Sequence, residues 1–417
     1  MITKSISKRK KSRRKTKKQP ISEYELSILN NAVTETVNSP IIVGYVKNVE
    51  ASPTTKNMKE YASLIEIVTK DNIIKYGKYS PSINKRLATI SSISPTDIFG
   101  CGVESVIRKT KPSINSFNIR IGEDDTGNVI CAESTSKEAR DVFMKNFKSN
   151  IKLNPANIIA PMQSHSNCWF NTMFMCFFVS DKGRKFMRFF RQLMIEGKTV
   201  DGKAIRPNTL AGAFILFNSA IESCYNININ GERWLAINTN NIIVSIYNAI
   251  PTVSGIKNID DYGNPYNYYK SIMLYLDPKN TSVRTERYNT NETVSNFYNS
   301  INATGVTPDV VVIQLSDNNY MNAQSINYDD KPLQVNYNGA IYILDSAVCR
   351  DVTTQHFCCG ITCNGSEYLF EGGAFSKLSK RKWKNWINKD YRWTQKGSGT
   401  QWNFMRSLSL FFYYRIN

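Results

Sequence analysis

The chain has 417 residues, of which 41% are hydrophobic and 21% are charged, and its formal net charge at pH 7 is +19. This is the composition of a globular protein, and it excludes a chain that is disordered throughout. A membrane-spanning protein is also excluded, because the longest apolar candidate, residues 173 to 179, is far shorter than the roughly 20 residues that cross a bilayer. The length predicts two or three domains.

The nine cysteines are odd in number and irregularly spaced, and the first residues lack the apolar stretch of a secretory signal. We therefore expect reduced thiols in an intracellular compartment rather than a disulfide framework. No motif in the sequence requires a cofactor, so we expect none.

Residues 4 to 18 form a basic run with ten lysines and arginines and no acidic residue. Like charges repel, and no apolar surface offsets the ordering entropy, so residues 1 to 20 are predicted to be a disordered tail. Such a run is typical of a nuclear-import signal or of an arm that binds nucleic acid through its phosphates. A nuclear or virion location would fit both roles. A solubilising tail without a partner is the alternative.

Residues 21 to 153 show short and mixed signals that predict a small accessory α+β domain. Helical spacing runs from Glu23 to Val33, and a strand is expected at residues 40 to 45. The other predicted elements are strands at Ala62–Thr69 and Asn115–Ile121, a turn at Gly122–Gly127 and a helix at Ser136–Phe147.

Residues 154 to 417 are predicted to form one domain in which helices precede strands. A densely apolar run follows Cys168 and predicts a helix that begins at this cysteine. Further helices are predicted at Arg184–Ile195, Leu210–Tyr225 and Trp234–Ile250. Aromatic and β-branched runs predict strands at Tyr269–Leu276, Val310–Leu315, Tyr342–Val348, His356–Thr362, Glu367–Phe370 and Met405–Tyr414. Helices followed by an antiparallel sheet indicate an α+β fold.

The chain contains only two histidines, His165 and His356, as candidates for a general base near neutral pH. Cys168 follows a polar loop and begins an apolar helix, and a helix N-terminus favours the nucleophilic thiolate. His165 lies on the same loop, three residues before Cys168, and is badly placed to approach the sulfur from across a cleft. His356 is therefore the predicted base. The alternatives are that Cys168 is a buried core residue, as we expect for Cys176, and that His356 is structural.

The residues around Cys168 resemble the cysteine box of ubiquitin-specific proteases. Gln163 lies five positions before the cysteine and Asn171 three after it, and Trp169 follows the cysteine directly. The resemblance implies that the Gln163 side-chain amide and the Cys168 backbone N–H stabilise the oxyanion. Residues 165 to 167 depart from the box, because they are His-Ser-Asn where Gly-Asn-Thr is usual.

The residues around His356 are similar to the histidine box of the same proteases. A strand at Tyr342–Val348 comes first, an aromatic follows His356, and Glu371 comes directly after Phe370. The resemblance implies that Glu371 orients the imidazole, as the third member of a triad. The family normally has Asp or Asn at this position. Asp345 and Asp351 are the alternative acids.

Two further blocks, Thr307–Leu315 and Ser407–Arg415, are similar to family strands that precede the histidine box and close the domain. Four blocks in family order imply a papain-like fold over residues 154 to 417, with a helical lobe and then an antiparallel sheet. The implied activity is a thiol hydrolase that cleaves a peptide or isopeptide bond after a ubiquitin-like C-terminus. The alternatives are a maturation protease for viral precursor proteins and a basic virion or nucleic-acid-packaging protein on a protease-like scaffold.

Four cysteines near His356 raise the question of a zinc site: Cys349, Cys358, Cys359 and Cys363. Their spacing lacks the two separated cysteine pairs of structural zinc sites, and strand alternation would send Cys358 and Cys359 to opposite faces. We therefore expect these cysteines to pack in the core and expect no metal. The two Cys-X-X-Cys pairs of the family's zinc-binding fingers also have no counterpart here.

Lysines, arginines and aromatic residues alternate between Lys377 and Lys396. Such a mixture is typical of surfaces that bind nucleic acid by charge and stacking. A solvated segment with buried aromatic anchors is the alternative.

Overall fold

The structure is a computed structural model that describes residues 92–93, 118–149, 152–161, 163, 166–225, 236–237, 239–259, 261, 263–288, 292–301, 305–315, 330–351, 356–372, 378–394 and 400–416. The basic run at residues 4 to 18 and the elements predicted at residues 23–33, 40–45 and 62–69 lie outside these ranges. Among the described residues, no helix has the length and apolarity that crossing a membrane requires. The predicted domain boundaries at residues 20 and 153 stay predictions.

A hairpin and a helix come before the helical layer in the chain. Strands β2 (Asn118–Glu123) and β3 (Val129–Glu133) pair antiparallel around a turn in which Asp124 Oδ1 accepts two backbone N–H groups. Helix α1 (Lys137–Lys148) begins after Ser136, whose hydroxyl accepts the N–H of Ala139. The predicted strand, turn and helix are confirmed. Phe143 and Phe147 of α1 belong to the same hydrophobic cluster as the helices described next.

The helical layer surrounds α2 (Cys168–Phe178), whose residues are all buried. Its other members are α3 (Asp181–Phe186), α4 (Arg188–Glu196), α5 (Asn208–Cys224), α6 (Asn240–Ala249) and α7 (Pro265–Leu276). A short helix, α8 (Val294–Ser300), comes later in the chain. A helix that is apolar all round must be enclosed, so α2 is the centre of this layer.

Three predictions in this region need correction. The predicted strand Tyr269–Leu276 is wrong, because it is the second half of α7: Pro265 occupies the first helical position and Asn264 caps it by accepting two backbone N–H groups. The predicted helix Arg184–Ile195 is interrupted at Met187. The helix predicted from Trp234 begins only at Asn240, because Ile237 is extended in β4 (Ala236–Ile237) and pairs with Ile93 of β1 (Ser92–Ile93).

The strands described after α7 form one sheet with the order β11-β10-β9-β8-β12-β6-β5, and β7 pairs with β8 at its side. The bounds are β5 Val283–Arg287, β6 Val310–Leu315, β7 Gln334–Tyr337, β8 Ala340–Arg350, β9 Phe357–Cys363, β10 Ser366–Phe370, β11 Ser379–Lys380 and β12 Ser409–Arg415. All pairs are antiparallel except β5 with β6, which is parallel. The five strands predicted from residue 310 onwards are confirmed, whereas β5, β7 and β11 were not predicted.

The sheet buries both of its faces. One face packs against α2 and includes Cys359 and Phe412, and the opposite face has its own cluster, which includes Cys358, Phe411 and Trp383. The alternation predicted for Cys358 and Cys359 is therefore confirmed. Among the described residues, no group of three or more histidine, cysteine or acidic side chains could hold a metal ion.

The thiols are mostly free. Seven described cysteines are buried and unbridged: Cys168, Cys176, Cys224, Cys349, Cys358, Cys359 and Cys363. Cys131 of β3 is disulfide-bonded. The expectation that all cysteines are reduced is therefore wrong at this position.

Gly360 of β9 gives a prediction about the sheet core. A Cβ atom at this position would lie 2.4 Å from Cδ2 of the fully buried Trp383 ring. We expect Gly360→Ala to lower the free energy of unfolding by about 1–3 kcal/mol, because the ring would have to move within a packed cluster. Gly122→Ala in β2, which meets nothing within 4 Å, is the control. Equal urea midpoints for the two variants would contradict the close contact between Gly360 and the Trp383 ring.

Candidate active site

Cys168 is the first residue of α2 and is 7% exposed. It follows Asn167, whose backbone carbonyl accepts the N–H groups of Phe170 and Asn171 and so begins the helix. The backbone N–H groups of the first helical turn have no acceptor within a helix, and the helix dipole places partial positive charge there. The start of a helix is therefore a favourable position for an anionic group.

A buried polar network fixes the start of α2. Asn167 Nδ2 donates to Thr239 Oγ1 (3.2 Å) and to Asn240 Oδ1 (2.8 Å), and Thr239 Oγ1 donates to Asn171 Oδ1 (2.6 Å). Asn167, Asn171 and Thr239 are fully buried. Since buried polar groups are costly unless they are hydrogen-bonded, this network ties the cysteine-bearing turn to the start of α6.

Trp169 fixes the direction of the same turn from the other side. Its Nε1 donates to the Asp261 carbonyl (3.2 Å), and its ring lies 4.9 Å from that of Tyr268. Gly263 approaches the indole so closely that a Cβ there would lie 2.8 Å from Cδ2. Cys168 thus stands between a hydrogen-bond network and a packed indole, and both restrict movement of the thiol.

His356 and Glu371 are brought together by the pairing of β9 and β10. His356 directly precedes β9 and Glu371 directly follows β10, so the antiparallel register places the two residues at the same end of the pair. His356 Nε2 lies 2.5 Å from Glu371 Oε1, with 13% of the histidine side chain exposed and none of the glutamate. This bond leaves Nδ1 as the nitrogen that faces away from the carboxylate.

His356 also forms a side-chain hydrogen bond with Cys168. Burial lowers the His356 pKa, but the bonds with Cys168 and Glu371 raise it by more, and the resulting pKa is about 10 against an ordinary 6.5. The imidazole is therefore protonated at neutral pH, and its positive charge lies between the sulfur and the carboxylate.

Gln163 lies beside this group. Its backbone N–H donates to the carbonyl of Gly372 (3.0 Å), the residue that follows Glu371. The structure therefore gathers Gln163, Cys168, His356 and Glu371 from three separated parts of the chain.

The alternative acids have other partners. The Asp345 carboxylate accepts the backbone N–H of Lys182 (3.1 Å) at the start of α3, and burial raises its pKa. Asp351 is close to the histidine, since its backbone N–H donates to the His356 carbonyl (2.7 Å), but its carboxylate accepts the N–H of Gln401 (2.5 Å). Glu371 is thus the acid bonded to the imidazole. His165 lies outside the described residues.

Trp402 is a residue of this site that the sequence did not indicate. Its ring centroid lies 5.7 Å from that of His356 at an angle of 48°, and the side chain is fully buried. Its backbone exchanges two hydrogen bonds with Trp393, and the two indoles lie 4.6 Å apart. No sequence signal links a tryptophan before β12 with the residue before β9, because the contact depends on the folded sheet.

The charge state of His356 can be measured directly. In histidine-selective NMR of the full chain, we expect the His356 imidazole to titrate near 10. His165→Ala assigns the two signals. In Cys168→Ala the high pKa should fall, because the bond with the sulfur no longer raises it. A His356 signal that titrates near 6.5 in the unsubstituted chain would contradict the hydrogen bonds of His356 with Cys168 and Glu371.

No protein-family model matches the chain, and no curated protein matches it. Among solved structures, it is similar to the Ubp8/Sgf11/Sus1/Sgf73 DUB module of SAGA, with TM-score 0.41 and 10% identity over 70% of this chain and 76% of that chain. The module bound to ubiquitin aldehyde gives TM-score 0.40 and 11% identity over 70% and 78%. A yeast SAGA module with a mutant Sgf73 gives 0.39 and 10% over 91% and 99%. A likeness this distant assigns neither the fold nor the activity.

Proposed function

We propose that the chain is a cysteine-type peptidase with Cys168 as nucleophile, His356 as general base and Glu371 as the residue that orients the imidazole. One observation carries this proposal: continuous hydrogen bonding from the Cys168 thiol through His356 to the buried Glu371, at the N-terminus of a buried helix. A nucleophile, a base and an orienting acid in this order form the constellation that activates a thiol.

In the proposed reaction, the Cys168 proton already resides on His356 Nδ1, and the thiolate of this ion pair attacks a peptide or isopeptide carbonyl. Glu371 stabilises the imidazolium through Nε2. His356 then gives its proton to the leaving amine as the C–N bond breaks, and a thioester with Cys168 remains. Water, deprotonated by His356, attacks the thioester and releases a carboxylate and the free thiol.

The oxyanion would be stabilised by two donors. The backbone N–H of Cys168 belongs to the first turn of α2, where the helix dipole favours negative charge. The second donor in the proposal is the side-chain amide of Gln163, which is held beside Glu371 through the bond of its backbone to Gly372. Gln163→Ala would remove this donor and leave the thiol, base and acid in place.

We propose a ubiquitin-like C-terminus as the substrate. Support comes from the four sequence blocks that resemble ubiquitin-specific proteases, which contain Cys168, His356 and Glu371 in family order.

A ubiquitin propargylamide probe tests the proposal on the full chain. We expect one ubiquitin to be added to the unsubstituted protein and none to Cys168→Ala. Cys176→Ala, on the same helix but within the core, is the matched control and should react like the unsubstituted chain. Labelling that persists in Cys168→Ala would contradict the assignment of the nucleophile. A chain that reacts at Cys168 with iodoacetamide but not with the probe would be a peptidase with another substrate.

A further inference from the structure

The segment from Lys380 to Trp393 packs against the face of the sheet that lies opposite α2. Trp383 begins a short 3-10 helix (Trp383–Trp386), is fully buried and donates from Nε1 to the Ile361 carbonyl (3.2 Å). Ile387 is also buried, and Trp393 pairs through its backbone with Trp402. Trp383, Ile387 and Trp393 therefore have a structural role as buried anchors. They hold the rest of the segment in one conformation.

The remaining side chains of the segment present positive charge to solvent. Five basic residues are exposed: Lys380, Arg381, Lys382, Lys389 and Arg392. Within the described part of the chain, none of these five forms an ion pair. The single acid of the segment, Asp390, is bonded to Arg406 (2.7 Å) and Asn403 (2.6 Å), so its charge is already matched. The segment therefore attracts anions.

Two aromatic side chains of the segment are not buried anchors. Tyr391 is 45% exposed, and Trp386 is half-buried. Their ring centroids lie 4.6 Å apart at an angle of 39°. Tyr391 stands between Lys389 and Arg392 in the sequence, so a partly exposed aromatic pair lies among the basic residues. Trp386 packs in part against the cluster on this face of the sheet, whereas Tyr391 does not belong to it, so the Tyr391 ring is the exposed aromatic face of the segment.

We propose that the Lys380–Trp393 segment binds single-stranded nucleic acid. The basic side chains would contact successive phosphates, and an unpaired base would stack on the exposed part of the Tyr391 ring. Aromatic faces among lysines and arginines suit this ligand, because every base has a face that can stack and every nucleotide carries a charge. A duplex offers only its phosphates, since its bases are already stacked. The carboxylates of an acidic protein surface match the charge, but they do not stack on an aromatic ring as a base does. The exposed aromatic pair therefore favours the single strand.

Fluorescence anisotropy of a labelled oligothymidylate with the full chain tests the proposal. We expect Tyr391→Ala to weaken binding about tenfold, and by at most about 150-fold, the range for the loss of one stacked base. Tyr391→Phe keeps the ring and should bind like the unsubstituted chain. Phe189→Ala removes a remote aromatic residue of α4 that is 46% exposed, and it should have no effect. Circular dichroism confirms that each variant is folded.

The charged residues give a second readout. Lys389→Gln combined with Arg392→Gln should reduce the slope of log affinity against log salt by about 1.4, since each phosphate contact on a single strand contributes about 0.7. The basic residues at 4 to 18 remain in every variant, so differences between variants report on the segment alone. Equal affinity of Tyr391→Ala and the unsubstituted chain would overturn the proposal. An equal loss of binding to duplex DNA or to polyglutamate on Tyr391→Ala would overturn it as well.

Discussion

Replacing His356 with alanine is expected to lower kcat/KM for hydrolysis of a ubiquitin C-terminal amide by about 10²- to 10⁴-fold, the range for loss of a general base. The imidazole is the only described group that joins the Cys168 sulfur to a buried carboxylate. Without it, the thiol has no internal proton acceptor, and the leaving amine has no proton donor. Steady-state kinetics with a fluorogenic ubiquitin amide measures the loss.

The chain offers a matched control for this variant, because His165 is its second histidine. His165→Ala should keep kcat/KM within about twofold, because the proposed reaction gives this histidine no role and substitutions outside such roles usually have small effects. If His165→Ala removed activity and His356→Ala did not, the base would be the histidine on the cysteine loop. The assignment of His356 would then be wrong.

Replacing Glu371 with glutamine is expected to lower both activity and stability. The buried imidazolium would lose its anionic partner, and removing one member of a buried ion pair costs about 3–5 kcal/mol. Activity should fall about 10²-fold or more, because the imidazolium that pairs with the thiolate is no longer stabilised by a carboxylate. The buried position explains why both effects should be large, since solvent does not screen the pair.

The loss of stability in Glu371→Gln should depend on pH. The His356 pKa is about 10 in the folded protein and 6.5 in the reference state, so it is raised on folding. The stabilisation from its protonated form is complete below pH 6.5 and is lost as the pH rises through about 10. Urea unfolding should therefore show the largest difference from the unsubstituted chain at pH 6 and a smaller one at pH 10.

A second buried carboxylate provides the control for Glu371. Asp345→Asn changes an acid that contacts the start of α3 rather than the imidazole. It should leave kcat/KM unchanged. A fall in kcat/KM for Asp345→Asn that matched the one for Glu371→Gln would show that the loss comes from general loosening of the sheet and not from the histidine.

The parts of the site that sequence could predict are those with local signals. The helix at Cys168 is predicted by an apolar run that begins after a polar loop. The strand that follows His356 and the strand that precedes Glu371 are predicted by aromatic and β-branched runs. The four blocks that resemble ubiquitin-specific proteases occur in family order. This order predicted which cysteine, histidine and acid form one site. The structure adds their distances and their hydrogen bonds.

The predictions that failed depended on competing local signals or on contacts made only in the folded chain. Tyr269–Leu276 has the aromatic content of a strand, but Asn264 and Pro265 begin a helix just before it. β5 was missed because its parallel partner, β6, lies more than 20 residues away, and its side chains are only partly buried. Trp402 contacts His356 across 46 residues of sequence, and no periodicity records such a contact.

The central claim is that His356 activates Cys168, and alkylation by iodoacetamide at pH 6, resolved by peptide mass spectrometry, tests it most directly. Burial raises the pKa of Cys224, Cys358, Cys359 and Cys363, so these thiols should react slowly. We predict that Cys168 reacts first and that His356→Ala removes this preference. A Cys168 that reacts no faster than the core cysteines, or equally fast without His356, would contradict the account.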